Sequence, residues 1–120
     1  MHLSIRARPV GDVTILELEG RVTLGAEADA LYQQVRALLD QQHPRIVLQM
    51  EKVHRVDSAG WGAVMRSVGS ARRAGGDVRL LKPSKPTREL LELLGLWARP
   101  DVLRVFVDEQ EVVESFAQQP

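Results

Sequence analysis

The sequence contains no cysteine, and this absence excludes several kinds of chemistry. A chain without thiols forms no disulfide, has no thiol nucleophile and offers no zinc–thiolate site, and it suits a reducing compartment. No segment approaches the roughly 18 consecutive apolar residues that a membrane helix needs. The first residues alternate between apolar and polar instead of forming the apolar run of a signal peptide. We therefore expect a cytoplasmic protein with no membrane insertion.

The chain also has no formal net charge and few aromatic side chains. Sixteen basic residues balance 16 acidic ones, whereas a nucleic-acid-binding protein normally has a net basic surface, so no direct nucleic-acid partner is expected. Aromatic residues make up only 4% of the chain, so aliphatic side chains must fill the core. At 120 residues, the chain is long enough to bury such a core. We expect a single domain over residues 1–120, with the last few residues, 117–120, frayed.

The spacing of the apolar residues predicts an α/β domain. Alternation with period two indicates strands, and apolar residues three or four apart indicate helices with one buried face. The predicted strands are residues 3–8, 13–19, 46–50, 78–81 and 105–107. The predicted helices begin near Ala26, Asp57, Ser84 and Asp108. The order β-β-α-β-α-β-α-β-α predicts an antiparallel hairpin followed by parallel strands, in a mixed sheet of about four to five strands flanked by about four helices.

The motif Asp57-Ser58-Ala59-Gly60 lies where the chain enters the second predicted helix. Asp57 is a natural N-cap, because its carboxylate can accept hydrogen bonds from backbone N–H groups of the first turn. Ser58 would then be the first helical residue, with its hydroxyl near solvent. Gly60 and Gly62 each cost a helix roughly 1 kcal/mol relative to alanine, so another backbone or a partner must approach closely there. Taken alone, the motif could simply start a helix.

In its place in this element order, the motif resembles the Asp-Ser-x-Gly signature of STAS domains, of the bacterial anti-sigma factor antagonist type. The resemblance extends over about Val13 to Phe116. It includes the aliphatic strand Ile46 to Met50, the Gly75-Gly76 turn and the helix closing in Leu94-Gly95-Leu96. It implies a STAS-like fold and a non-catalytic binding switch that regulates transcription. In such a switch, the unphosphorylated domain captures an anti-sigma factor that is also a serine kinase, and so frees a sigma factor. The resemblance further implies that the kinase phosphorylates Ser58 and releases the complex, and that a phosphatase reverses this.

Two positions depart from the family's pattern. Thr23 occupies the expected acidic position of the loop after the second strand, a loop that usually helps to bind the kinase. Trp61 follows the motif glycine where a medium-sized aliphatic residue is usual; it could anchor an interface or pack over the end of the sheet. Arg55, if it lies near Ser58, could pair with the phosphate. The predicted partner-binding residues are Asp57, Ser58, Ala59, Gly60, Trp61, Thr23 and Arg55.

Two other functions are alternatives to the switch. The same fold could be the STAS subunit of a lipid-transport ABC complex or a stress-signalling scaffold, whose helix end would hold a transporter ATPase or another STAS domain. An enzyme with Ser58 as nucleophile is disfavoured, because Val56 stands where a nucleophile elbow needs glycine. His54, Asp57 and Ser58 are neighbours on one loop, and such neighbours rarely align as a triad. The histidines lack metal-ligand spacing, so we expect neither a metal nor a cofactor.

Overall fold

The computed structural model describes residues 2–117, and within them the chain forms five strands and four helices. The strands are β1 (Leu3–Val10), β2 (Val13–Val22), β3 (Arg45–Val56), β4 (Asp77–Leu81) and β5 (Val105–Phe106). The helices are α1 (Ala26–Asp40), α2 (Ser58–Arg73), α3 (Lys85–Leu93) and α4 (Glu109–Ala117), with a 3₁₀ turn at Leu96–Ala98. The predicted fold class and element order are confirmed. Of the terminal residues expected to fray, Ala117 ends α4 and residues 118–120 lie outside the described part of the chain.

The strands form one mixed sheet in the order β1-β2-β3-β4-β5. β1 and β2 are antiparallel, and each later neighbour pairs in parallel. Crossovers between parallel strands are right-handed, which places their helices on one face of a sheet whose strands follow in sequence order. The helices α1, α2 and α3 accordingly share one face, where the main core lies. The last helix, α4, covers part of the opposite face and encloses a second, smaller core.

The smaller core attaches α4 to the sheet through apolar and polar contacts. Phe116 of α4 is 1% exposed and packs with side chains of β2, β3 and β4. The Arg79 guanidinium lies 4.1 Å from the centroid of the Phe116 ring. It donates hydrogen bonds to Asp77 Oδ2 at 2.9 Å and to Ser115 Oγ at 2.6 Å. The buried charge of Arg79 is therefore paired, as burial of an ionised group requires.

The third strand is longer than the sequence pattern predicts. Residues 51–56, which lie beyond the predicted strand 46–50, continue β3, and Val53 is their only buried member. The pairing of β3 with β2 shifts register twice, between Glu17 and Glu19 and between Gly20 and Arg21. Such irregularities break the period-two pattern and bend the strand. The long β2 and β3 carry the chain to the sheet edge where α2 begins.

Candidate functional site

Asp57 forms the N-cap of α2, as predicted. Its Oδ1 accepts a hydrogen bond from the Gly60 backbone N–H at 2.8 Å, and its Oδ2 accepts one from the Leu24 backbone N–H at 2.9 Å. These two hydrogen bonds, that from Gly60 first, hold the pKa of the Asp57 carboxyl below its ordinary value. One carboxylate thus starts the helix and also fixes the loop between β2 and α1 beside it.

Gly60 is buried because α2 begins against the end of β2. A Cβ atom at this position would overlap the Val22 carbonyl oxygen and would lie 2.9 Å from both the Val22 carbonyl carbon and Val56 Cγ1. The same Val22 oxygen accepts a hydrogen bond from the Asp57 backbone N–H at 3.4 Å. The close approach predicted for this glycine is therefore made by the chain's own backbone. Gly60 lies beneath the surface, and its contact with a partner stays a prediction.

Ser58 is the first residue of α2, and it is exposed, whereas Ala59 is half-buried. Leu24, tied to Asp57 by the backbone hydrogen bond, is 79% exposed. Arg55 is exposed near the end of β3, and its charge helps to lower the pKa of the Asp57 carboxyl. A hydroxyl, an apolar side chain and a cation are thus gathered around one fixed carboxylate. The sequence analysis did not include Leu24 in the site. An isolated apolar residue in a predicted loop is a candidate for an exposed contact, and this signal could have identified it.

Thr23 and Trp61, the two departures from the family pattern, both have contacts inside the domain. The Thr23 hydroxyl donates a hydrogen bond to Glu27 Oε1 at 3.3 Å. Arg21 Nε lies 3.6 Å from the same oxygen, so the first turn of α1 supplies an acid that the sequence reasoning did not single out. Trp61 is half-buried and packs against the main core. Its indole Nε1 is buried without a hydrogen-bond partner among residues 2–117.

The start of α3 borders the same edge of the sheet. Ser84 occupies the N-cap position of α3, but its side chain does not cap the helix. Its hydroxyl instead donates to the Val53 carbonyl oxygen at 2.5 Å and is 3.0 Å from Thr87 Oγ1, so α3 is tied to β3. A shallow groove between these elements is lined by His54, Arg55, Val56, Pro86, Thr87 and Leu90. The motif therefore lies on a continuous surface at the carboxyl edge of the parallel strands, the usual position of sites in such sheets.

The contacts of the Asp57 carboxylate differ from those of a catalytic-triad aspartate. Both of its carboxylate oxygens accept hydrogen bonds from backbone amides, whereas the aspartate of a catalytic triad orients a histidine. Within residues 2–117, no group of three or more His, Asp or Glu side chains is placed to hold a metal ion. In the same part of the chain, none of the helices has the length and apolar character needed to cross a membrane.

Comparison with known proteins identifies the family. A family model described as MlaB, STAS domain, matches residues 5–104. The match covers well over half of the chain, so the chain belongs to the STAS domain family, and the resemblance found in the sequence is confirmed. A search of curated proteins gave no match.

Solved structures share the fold at low sequence identity. An anti-sigma factor antagonist from Mycobacterium paratuberculosis superposes with a TM-score of 0.79 at 16% identity, over 96% of this chain and 94% of that chain. The Bacillus cell fate determinant SpoIIAA, in its phosphorylated form, gives a TM-score of 0.69 at 18% identity, over 93% and 98% of the two chains. The murine anion transporter Slc26a9 gives a TM-score of 0.73 at 18% identity, where 95% of this chain matches 19% of the transporter. At these identities the likeness establishes the fold that the chain shares with anti-sigma factor antagonists and with a domain of a transporter.

Proposed function

We propose that this chain is an anti-sigma factor antagonist that acts in the cytoplasm by binding proteins, without catalysis. With Ser58 unphosphorylated, it captures an anti-sigma factor that is also a serine kinase. Phosphorylation of Ser58 by that kinase releases the complex, and a phosphatase restores binding. The observation that carries the proposal is the exposed Ser58 at the first position of α2, held beside Leu24 by the Asp57 carboxylate.

Docking would use the apolar and polar groups that surround the motif. Leu24 offers an exposed apolar side chain that a partner can bury, and its backbone is already fixed by Asp57. A preorganised loop loses little conformational freedom on binding, which favours affinity. Arg55 and Thr23 would lie at the rim of this surface, with Ala59 and the exposed part of Trp61 beside Ser58. Gly60 would act indirectly, by letting α2 begin against β2.

Phosphorylation would change the charge of this surface without unfolding the domain. A phosphate adds roughly −1.5 to −2 charges near neutral pH. Its neighbour Asp57 is ionised there, as aspartate ordinarily is, and already accepts hydrogen bonds from the Gly60 and Leu24 amides. The negative charge of the phosphate is therefore repelled by the Asp57 carboxylate, and the helix dipole and Arg55 offset this repulsion only in part. The Bacillus protein solved in a phosphorylated form has the same fold, which supports a domain that remains folded when modified.

A kinase assay tests the proposal. The purified chain is incubated with ATP and the anti-sigma kinases of its own organism, and intact mass and complex formation are measured. We expect a gain of one phosphate that Ser58→Ala abolishes and that the control Ser4→Ala, at an exposed serine of β1, retains. We expect Ser58→Asp to weaken binding by roughly tenfold or more, because it adds a charge within a desolvated contact. Phosphorylation that persists in Ser58→Ala, or full binding by Ser58→Asp, would contradict the switch.

A second candidate function is a STAS subunit of a lipid-transport ABC complex, or a stress-signalling scaffold, that uses the same helix end. It is favoured by the description of the family model as MlaB and by the matching domain of an anion transporter. Co-purification from the native organism distinguishes the two functions. An ABC ATPase or a second STAS domain in the complex, with Ser58 unmodified and no kinase bound, would support this candidate and contradict the switch.

A further inference from the structure

Two glycines of α2, Gly62 and Gly69, are not crowded by any backbone atom outside their own helix. At Gly60 and Gly76 an added Cβ would overlap backbone atoms of the chain itself. At Gly62 nothing lies within 4 Å of such an atom, and at Gly69 the nearest neighbour is Arg73 Nη1 at 3.4 Å. Neither has a positive φ that would require glycine. Because glycine is among the poorest helix formers, its use at two such positions indicates that something outside the domain approaches the α2 backbone closely.

The two glycines line one shallow groove between α1 and α2. The groove has a volume of about 400 Å³. Its walls are formed by Tyr32 of α1 and by Gly62, Met65, Arg66, Gly69, Ser70 and Arg73 of α2. The glycines are seven positions apart, which at 1.5 Å per residue is about 10.5 Å along the helix axis. The groove therefore runs along α2, with open backbone at Gly62 and, one heptad later, backbone at Gly69 beside which only the flexible Arg73 side chain lies.

Two arginines with the same spacing hold unpaired positive charge at this groove. The Arg66 guanidinium lies 4.8 Å from the centroid of the Tyr32 ring. Arg73 Nη2 donates to Ser70 Oγ at 3.2 Å, and that oxygen is also 3.2 Å from the Tyr32 hydroxyl. Among residues 2–117 no carboxylate forms an ion pair with Arg66 or Arg73, whereas Arg36, on the same helix as Tyr32, pairs with Asp40. The hydrogen bond between the Ser70 and Tyr32 hydroxyls, and then the charges of Arg36, Arg66 and Arg73, lower the pKa of the Tyr32 hydroxyl.

We propose that this α1–α2 groove binds an acidic helix of a partner protein. Two carboxylates seven positions apart on that helix would pair with Arg66 and Arg73, which are held in place by neutral groups. The partner's backbone would approach α2 at Gly62 and Gly69, where small residues shorten the distance between helix axes. Met65, half-buried in the wall, supplies an adaptable apolar contact. The groove begins one helical turn from Ser58, since Gly62 is four positions later on α2, and it continues away from the motif along the helix. Its occupation needs no phosphorylation.

Peptide binding to the full chain tests the groove. The probe is a fluorescent alanine-rich helical peptide of about 20 residues carrying two glutamates seven positions apart, and the control peptide carries glutamines there. We expect salt-sensitive binding of the glutamate peptide by fluorescence anisotropy and none of the glutamine peptide. Arg66→Gln and Arg73→Gln should each weaken binding on the order of threefold to tenfold. Gly69→Leu, which fills the groove, should abolish it.

Matched controls separate the groove from general effects. Ala37→Leu adds the same side chain at an exposed helix position outside the groove, and Arg88→Gln removes the same charge from α3; both should bind as the wild type does. Equal binding of the two peptides, or wild-type binding by a folded Gly69→Leu, would overturn the proposal. The proposal would also be overturned if no peptide binds and the chain instead binds phosphatidylserine vesicles, with this binding abolished by Arg66→Gln. The occupant would then be a lipid surface. The proposal would also be overturned if no peptide binds and the wild-type chain self-associates while Gly69→Leu does not, since the occupant of the groove would then be a second copy of the chain.

Discussion

Alanine substitutions at Gly60 and Gly62 should change stability in opposite directions, although the two residues belong to the same turn of α2. Each substitution gains roughly 1 kcal/mol of helix propensity. At Gly62 nothing opposes that gain, so Gly62→Ala should raise the free energy of unfolding by about 0.5–1 kcal/mol. At Gly60 the new methyl group meets the Val22 carbonyl, which the sheet and the Asp57 amide hold in place. Overpacking typically costs about 1–3 kcal/mol, and a backbone obstacle favours the upper end.

The predicted net effect is a loss of about 2 kcal/mol in Gly60→Ala, and therefore a difference of about 3 kcal/mol between the two variants. Urea unfolding followed by circular dichroism measures this difference directly, and thermal midpoints should differ by roughly 10 °C in a domain of this size. The two variants have the same composition, so each serves as the control for the other. Equal stabilities, or a Gly60→Ala variant at least as stable as the wild type, would refute the contact between α2 and β2 on which the site depends.

Two further predictions concern the face of the sheet that carries α4. The carboxyl groups of Glu17 and Glu109 have pKa values lowered below 4.5, in each case first by a hydrogen bond from an arginine. Their contribution to stability is complete above about pH 4.5 and is lost as the pH falls through the lowered values. Glu109→Gln should therefore have a lower urea midpoint than the wild type at about pH 7, and the two midpoints should converge as the pH falls through the lowered pKa of Glu109; a constant difference would contradict this. Ser115→Ala removes an acceptor of Arg79 and should lower the free energy of unfolding by about 1–3 kcal/mol in urea titrations, whereas an unchanged value would contradict a stabilising role of this hydrogen bond.

Local signals in the sequence predicted the beginnings of elements better than their lengths. Asp57 and Asp108 were both expected to cap helices, and each accepts a backbone hydrogen bond from the residue three positions later. A cap depends on a few consecutive residues, so its signal is visible in the sequence. The length of β3 depends on its pairing with β2. The register shifts in that pairing break the alternation of apolar and polar residues, so the sequence pattern does not show how far the strand extends. Ser84 shows the same limit, because its hydroxyl bonds to Val53 on β3 instead of capping its own helix.

The candidate site was predicted in its centre but not in its surroundings. The motif residues and Arg55 could be singled out as candidates because they are consecutive or nearly so in the chain. Leu24 was missed, since its link to Asp57 joins residues far apart in sequence. Trp61 had two interpretations, and the structure packs it against the main core, which no local pattern could decide.

By itself the sequence determined the α/β class, the element order, the family and the helix that begins at Asp57, because periodicity and capping are properties of short segments. The tertiary structure decided what each glycine is for. Gly60 and Gly62 read alike in the sequence, as costly residues in one helix. The path of β2 beneath α2 makes the first necessary to the fold, and leaves the second open toward a groove that only the packing of α1 against α2 creates.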